Sequence, residues 1–372
     1  MDTLSKLRVL GAGAAYDACG CETSDKSRRR VDVPRDGIYP ASGPDGRKTL
    51  LLKVLQTNEC GGDCAYCVNT CSRQTARAHF APDELAGVFA KYLREGLVEG
   101  LFLSSGVGRD PEECMEEVLE TVSIVRRRGF CGYVHTKILP GATRDQVARA
   151  ARLSTRLSIN IEVPGKARLS ELSSTKDYGL DILRRMRWIG GEVKRGHVSA
   201  GQTTQFIVGA SGEADSEILD VMGNLYEDMS LYRCYFSAFS PIKDTPLESE
   251  KPAPARRAHR LYQADFLLRQ YDFSVEDIPV TDDGFLSLTQ DPKTLYAQAN
   301  PQLYPIDLNE ADYALLLKVP GIGPKTATKI ISEREKQKIR CTKDAKKIGV
   351  ARKALSFIEL AGSSQKRILE YT

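Results

Sequence analysis

The sequence has no run approaching eighteen apolar residues, and a helix needs roughly that many to cross a bilayer. None of it therefore reads as a transmembrane segment. The opening, MDTLSKLRVLGAGAAYD, lacks the charged-then-apolar pattern of a secretory signal, so the expectation is a soluble, cytoplasmic protein. Neither sign of charge dominates, since 53 Lys+Arg against 49 Asp+Glu leave a net +4. There is no internal repeat and no low-complexity tract, although the glycine turns at Gly321 and Gly349 read as distant copies of one another. Ten cysteines are present; without an export signal they sit in a reducing compartment, where structural disulfides are uncommon and a tight cluster points to a metal or redox site.

At 372 residues and 41% hydrophobic, the chain exceeds what one core usually supports, and two domains are expected. Charge divides along the same line. Residues 301–372 hold 14 Lys+Arg against 8 Asp+Glu, whereas the first 300 hold 39 against 41. A near-neutral body followed by a basic tail suggests a catalytic domain and a polyanion-binding one.

Short apolar runs at 49–55, 100–105, 132–138, 156–163, 203–210 and 232–239 read as strands, separated by stretches such as 82–97, 111–129 and 142–153 with apolar residues three and four apart. This alternation predicts an α/β fold with a parallel sheet, best described as a partial (β/α)6-type barrel. Chemistry in such barrels gathers at the C-terminal ends of the strands. The expected domains are an irregular lead-in over 1–45, a core barrel over 46–245, a helical or irregular extension over 246–303 and a small all-α domain over 304–372.

The segment TNECGGDCAYC, 57–67, places Cys60, Cys64 and Cys67 in the spacing CxxxCxxC directly after the first of these strands. Three thiolates can hold three irons of a [4Fe-4S] cubane and leave the fourth open. Gly61 and Gly62 suit a loop that wraps closely around such a group. A zinc site or inert buried thiols are the alternatives; zinc knuckles usually need a second CxxC-type pair, which is missing here. Cys71 by its spacing would close the site to CxxxCxxCxxxC. Cys114, Cys131 and Cys234 read as buried or incidental thiols, as do Cys19 and Cys21, unless that last pair binds a second metal.

CxxxCxxC with Tyr66 before the third cysteine resembles the signature of the radical S-adenosylmethionine (radical SAM) enzymes. The resemblance implies a [4Fe-4S] cluster whose open iron is chelated by SAM, cleavage of SAM to a 5'-deoxyadenosyl radical, and an electron donor such as flavodoxin or ferredoxin. It further implies SAM contacts from Tyr66 and from Ser104, Ser105 and Gly106 at the end of the second strand. In the fourth strand, alternation sends Ser158, Asn160 and Glu162 to one face, either toward SAM or as the polar filling of a lumen. In the fifth, QFIVGASGE loosely resembles the adenine-contacting pattern, with Gly209 matching and Glu213 one position late.

DGRKTLLLKVLQTNECGGDCAYCVN, EGLFLSSGV, GYVHTKILPGA, RLSINIEVP, AGQTTQFIVGASGE, CYFSAFSPI and HRLYQADFLLRQYDF together look like one group, the DNA modification or repair radical SAM proteins that carry a C-terminal helix-hairpin-helix and are associated with uracil-DNA glycosylase-like partners. The resemblance runs from about Tyr16 to the C-terminus and implies no particular reaction.

VPGIGPKTATKII, 319–331, has the form of a helix-hairpin-helix. Gly321 and Gly323 permit the tight turn, and its amides with the next helix N-terminus can hold a phosphate. Lys325, Thr326 and Lys329 stand ready to add contacts that position a nucleic acid without reading its sequence. Asn309 is the expected cap of the preceding helix. The same hairpin could instead serve protein contacts. A catalytic lysine of the bifunctional DNA glycosylase kind is rejected, because CTKDAKK does not match their aspartate segment and the chain lacks their all-helical fold.

Pocket candidates are His135, Lys137, Gln202, Gln205 and Tyr235, each also an ordinary lumen-filling residue. The expected function is a radical SAM enzyme acting on nucleic acid, with DNA favoured over RNA by resemblance. The alternatives are a tRNA-modifying enzyme or a DNA-binding protein with a structural or redox-sensing cluster.

Overall fold

A computed structural model of the protein describes residues 1–17, 37–42 and 48–360. The chain divides into two compact units, one of Met1–Glu213 with Asn224–Ala258 and the other of Ala214–Gly223 with His259–Thr372. Cys19 and Cys21 lie outside the described residues. Among the described residues no helix is long and apolar enough to cross a membrane.

The larger unit is built on seven strands: β1 (Ile38–Ser42), β2 (Lys48–Leu55), β3 (Gly100–Ser104), β4 (Tyr133–Lys137), β5 (Arg156–Ser158), β6 (Gln202–Val208) and β7 (Leu231–Ala238). Their order in space is their order in the chain. β1 runs antiparallel to β2, and β2 to β7 are parallel throughout. Between the strands the chain carries α2 (Pro82–Arg94), α3 (Pro111–Arg127), α4 (Arg144–Leu153), α5 (Lys166–Leu172), α6 (Arg184–Lys194) and α7 (Asp215–Asp228), the last with its first residues counted in the smaller unit, and α1 (Thr3–Ala14) precedes them. Crossovers of one hand put successive helices on one face of the sheet, so the other face turns inward. β1 and β7 remain unjoined edges. The result is the expected partial barrel with an added antiparallel strand.

Local chemistry accounts for these elements. Asp110 caps α3 by accepting from the amides of Glu112 and Glu113, Pro111 fills its first position, and Met115, Val118, Leu119, Val122 and Val125 form its buried stripe. Thr143 and Gln146 close a reciprocal capping box on α4. All five residues of β3 are buried, as a strand covered on both faces requires.

Two expectations are corrected. The lead-in over 1–45 is not wholly irregular: α1 lies within it, because Gly11 and Gly13 let the helix come close to the sheet. A Cβ at Gly11 would stand 3.0 Å from the Gly37 Cα, and one at Gly13 would stand 2.8 Å from Leu55 Cδ1. The fourth predicted strand, 156–163, pairs regularly only as far as Ser158. Beyond it the Thr204 hydroxyl replaces the ladder, donating to the Ile159 carbonyl at 2.7 Å and accepting from the Ile161 amide at 2.9 Å.

The smaller unit holds α9 (Pro292–Ala299), after α8 (Ala255–Gln270) in the chain, then a short parallel pair β8 (Ile306–Asp307) and β9 (Ile358–Glu359), with α10 (Tyr313–Lys318), α11 (Pro324–Arg334) and α12 (Thr342–Lys347) between them. Leu308, Leu316, Leu317, Val319, Ile322, Ala327, Ile330 and Ile358 form its core. Asn309 is not the helix cap. Asp312 caps α10, accepting from the Leu315 amide at 2.7 Å. Asn309 instead exchanges hydrogen bonds with the backbone of Ile339, 2.8 Å to its amide and 3.1 Å to its carbonyl.

Candidate active site

The residues after β2 have no regular structure of their own, and side chains from distant segments hold them in place. The Arg77 guanidinium donates to the carbonyls of Asn58, Asn69, Thr70 and Arg73 at 2.5, 3.0, 2.9 and 3.2 Å. The Asp63 carboxylate accepts from the Ser174 amide at 3.0 Å and from the hydroxyls of Ser173, Ser174 and Thr175 at 2.7, 2.5 and 3.0 Å. Burial pushes Asp63 up, but the hydrogen bonds from Ser174, Ser173 and Thr175 outweigh it and hold the carboxyl well below its ordinary range. From the other side, the Gly61 amide donates to the Val107 carbonyl and the Gly106 amide to the Thr57 carbonyl, both at 2.7 Å. Gly106 is needed for that contact, since a Cβ there would lie 2.3 Å from the Glu59 carbonyl oxygen.

This framework sets Cys60, Cys64 and Cys67 along the wall of a cavity of about 570 Å³ at the C-terminal ends of the strands. Gly62 lies directly beside two of the thiols: a Cβ there would be in ordinary contact with the Cys60 and Cys64 sulfurs, at 3.4 and 4.0 Å. Burial first, and neighbouring Cys64 after it, push the Cys67 thiol up to about 12, so its thiolate is disfavoured without a cation beside it. Among the described residues no three His, Cys, Asp or Glu side chains converge as ligands of a single ion. Cys71 is exposed; its amide closes the loop onto the Gly62 carbonyl at 2.9 Å. Cys131 is exposed, Cys114 half-buried and Cys234 buried.

Tyr66, Ser104, Ser105, Gly106, Lys137, Asn160, Glu162 and Gln205 all line the same cavity. The Ser105 hydroxyl is buried without a hydrogen-bond partner, an orphan that a bound polar molecule would satisfy. Glu162 has a left-handed backbone at φ 68°, held by its amide donating to Gln205 and its carbonyl accepting from Ile207, at 3.0 and 2.7 Å. Such strain in a non-glycine residue is sustained by its surroundings and is frequent at functional sites.

The remaining candidates lie elsewhere. His135 is two residues deeper than Lys137, wholly buried, with Nε2 2.7 Å from the Ser158 hydroxyl; that bond also occupies Ser158. Burial, then Arg156, Lys137 and Lys53, keep the His135 ring neutral. Gln202 is wholly buried, its side-chain amide donating to the Met229 carbonyl at 2.8 Å while its Oε1 has no hydrogen-bond partner among the described residues. Tyr235 sits two residues below the cavity-lining Ser237. Gly209 belongs to a loop organised by Glu213, which accepts its amide at 2.5 Å and the Ser211 hydroxyl at 2.9 Å; φ 90° is what requires glycine there.

Sequence reasoning missed Lys176. It stands one residue beyond the triplet that binds Asp63, and its ammonium meets Glu162 at 3.2 Å and the Tyr66 hydroxyl at 3.4 Å inside the cavity. Burial pulls Lys176 down, but Cys64, Glu162 and Cys67 outweigh it and hold it protonated. No spacing rule joins it to Tyr66, 110 residues away in the chain.

In the smaller unit Gly321 adopts φ 88° between α10 and α11. Gly323 needs no left-handed backbone; a Cβ there would meet the Tyr271 hydroxyl at 2.9 Å. The amides of Gly323, Lys325 and Thr326 open α11 and have no acceptor within the helix. Lys325 and Lys329 are exposed and Thr326 is half-buried beside Gly349. Gly349, at φ 95°, repeats the conformation of Gly321. Buried Lys293 donates to the Ile322 carbonyl in the hairpin at 2.5 Å.

The family described as helix-hairpin-helix motif matches residues 303–351. No curated protein matches the chain in sequence. Among solved structures, the chain is similar to HydG, the FeFe-hydrogenase maturase from Carboxydothermus hydrogenoformans, at 13% identity and TM-score 0.46, over 57% of this chain and 50% of that one. It is similar to methylornithine synthase (PylB) at 13% identity and TM-score 0.47, over 57% and 60%. The third is the radical S-adenosylmethionine methyltransferase TsrM from Kitasatospora setae, at 10% identity and TM-score 0.41, over 52% and 37%. The matched part is thus from about a third to three fifths of these proteins' length.

Proposed function

We propose that the protein is a radical SAM enzyme acting on nucleic acid, most consistently DNA in modification or repair. The observation that carries this reading is the placement of Cys60, Cys64 and Cys67 together on the wall of a strand-end cavity. These cysteines would hold a [4Fe-4S] cluster. Tyr66, Ser104, Ser105, Gly106, Asn160, Glu162 and the missed Lys176 would line the seat of SAM, with the unpartnered Ser105 hydroxyl as one point of attachment. When bound, cluster and SAM together supply hydrogen-atom abstraction. The chain's own part is to bind and orient: Arg77 and Asp63 fix the cysteine loop.

The hairpin amides with Lys325, Thr326 and Lys329 would hold phosphates, and a uracil-DNA glycosylase-like protein and a flavodoxin or ferredoxin are the partners the resemblance suggests. In this reading the protein works in the cytoplasm. The test is anaerobic reconstitution followed by SAM and a reductant, with damaged duplexes, intact duplexes and tRNA as separate additions. 5'-Deoxyadenosine formation stimulated by DNA is expected; stimulation by tRNA alone would move the substrate to RNA, and no 5'-deoxyadenosine under any condition would remove the enzyme reading.

A further inference from the structure

Three polar side chains from three strands converge on one turn of the chain. Lys53 on β2 donates its ammonium to the Asp17 carbonyl. Lys137 on β4 forms an ion pair with the Asp17 carboxylate, and Gln205 on β6 donates to the Tyr16 carbonyl at 3.0 Å. Lys53 is 2% exposed and lies over the rings of Tyr39 and Phe102, at 4.7 and 5.5 Å. Among the described residues Asp17 is the one carboxylate that pairs with either lysine. Two cations facing one anion leave a net positive charge at this turn.

The three acceptors come from separate groups: one side-chain oxygen and two backbone carbonyls. A single tetrahedral oxyanion offers the same number of oxygens at one centre, which a carboxylate does not. Tyr16, Asp17, Lys137 and Gln205 also line the cavity of the cysteines, so a molecule seated there reaches them directly.

We infer that Lys53, Lys137 and Gln205 form a phosphate subsite for the substrate, and that the Tyr16–Asp17 turn fills it as an internal stand-in until substrate arrives. The inference rests on the proposed nucleic-acid substrate and places one nucleotide phosphate inside the barrel, apart from the hairpin contacts.

The test is equilibrium binding of inorganic phosphate, thymidine 5'-monophosphate and acetate to the full-length, cluster-reconstituted protein by calorimetry. Asp17→Asn removes the competing charge without enlarging the turn, and should bind phosphate and the nucleotide at least tenfold more tightly than the unaltered chain. Lys137→Gln should bind them at least tenfold more weakly, with circular dichroism confirming the fold; acetate should bind weakly to all. Equal phosphate affinity in Asp17→Asn and the unaltered protein would overturn the inference, and so would acetate binding as well as phosphate. Phosphate affinity unaffected by saturating SAM supports a substrate subsite, whereas displacement by SAM would give these lysines to the cofactor and end the proposal. Because the readout is binding, it can fail while 5'-deoxyadenosine still forms, or succeed where none does.

Discussion

The cysteine loop and the tail hairpin are both irregular glycine-bearing turns, and they present their functional groups by opposite means. In the cysteine loop the side chains face the cavity while the backbone is consumed: Arg77 takes four carbonyls, and Gly61 and Gly106 are tied to the facing loop. In the hairpin the core is filled by Val319, Ile322 and Ala327, and the backbone amides of Gly323, Lys325 and Thr326 are left as donors. A site that must grip a buried inorganic group needs its scaffold satisfied internally. A site that meets a hydrated polyanion can use the scaffold itself.

The sharpest way to break this contrast is to remove a thiol. Cys64→Ala should abolish cluster incorporation, read as iron and sulfide content and visible absorbance after reconstitution, while Cys71→Ala retains the full complement. Equal loss in both would mean a four-thiolate, closed site.

Next in size is the scaffold beneath the thiols. Asp63→Ala removes several hydrogen bonds to a charged acceptor, each contributing about 1.5–3 kcal/mol when buried and less where solvent reaches, so urea unfolding should show a loss of roughly 2 kcal/mol. The folded Asp63 carboxyl is held below its unfolded value, so its contribution is complete above that value, near pH 4. It is lost as pH falls through the folded value. The difference between Asp63→Ala and the unaltered protein should therefore be constant from pH 7 to about 5 and shrink below about pH 4. A difference that persisted in acid would assign the loss to packing.

The smallest effect is expected at the hairpin, where no single side chain carries the binding. Lys325→Glu should weaken binding of a DNA duplex about tenfold at low salt and reduce the slope of log affinity against log salt by about 1, without change in cluster content. Unaltered binding would turn the hairpin toward a protein partner.

The sheet was readable in outline because strands buried on both faces are continuous apolar runs, as in TLLLKVL and GLFLSS, and the thiols were readable because their spacing is local. β1 was not, being five residues with a proline at Pro40, nor was α1, whose fit depends on the absence of side chains at Gly11 and Gly13. Of Ser158, Asn160 and Glu162, assigned to one face, the last two line the cavity while Ser158 is buried against His135; buried Ile159 and Ile161 alternate with them. The polar supports were hidden for a different reason. Asp63 with Ser173 and Lys176 with Glu162 are recognised by a charge meeting its partner, and sequence distance carries no trace of that until the chain is folded. His135 and Tyr235 illustrate the converse error: an inward-facing residue is not a cavity residue when it lies two positions too deep.

The central claim is that three thiolates hold a cluster with one iron left for SAM. The electron paramagnetic resonance spectrum of the reduced, reconstituted protein tests it most directly, recorded before and after SAM is added. The account predicts a [4Fe-4S] signal whose g-values shift on addition of SAM, and an unchanged signal would contradict it.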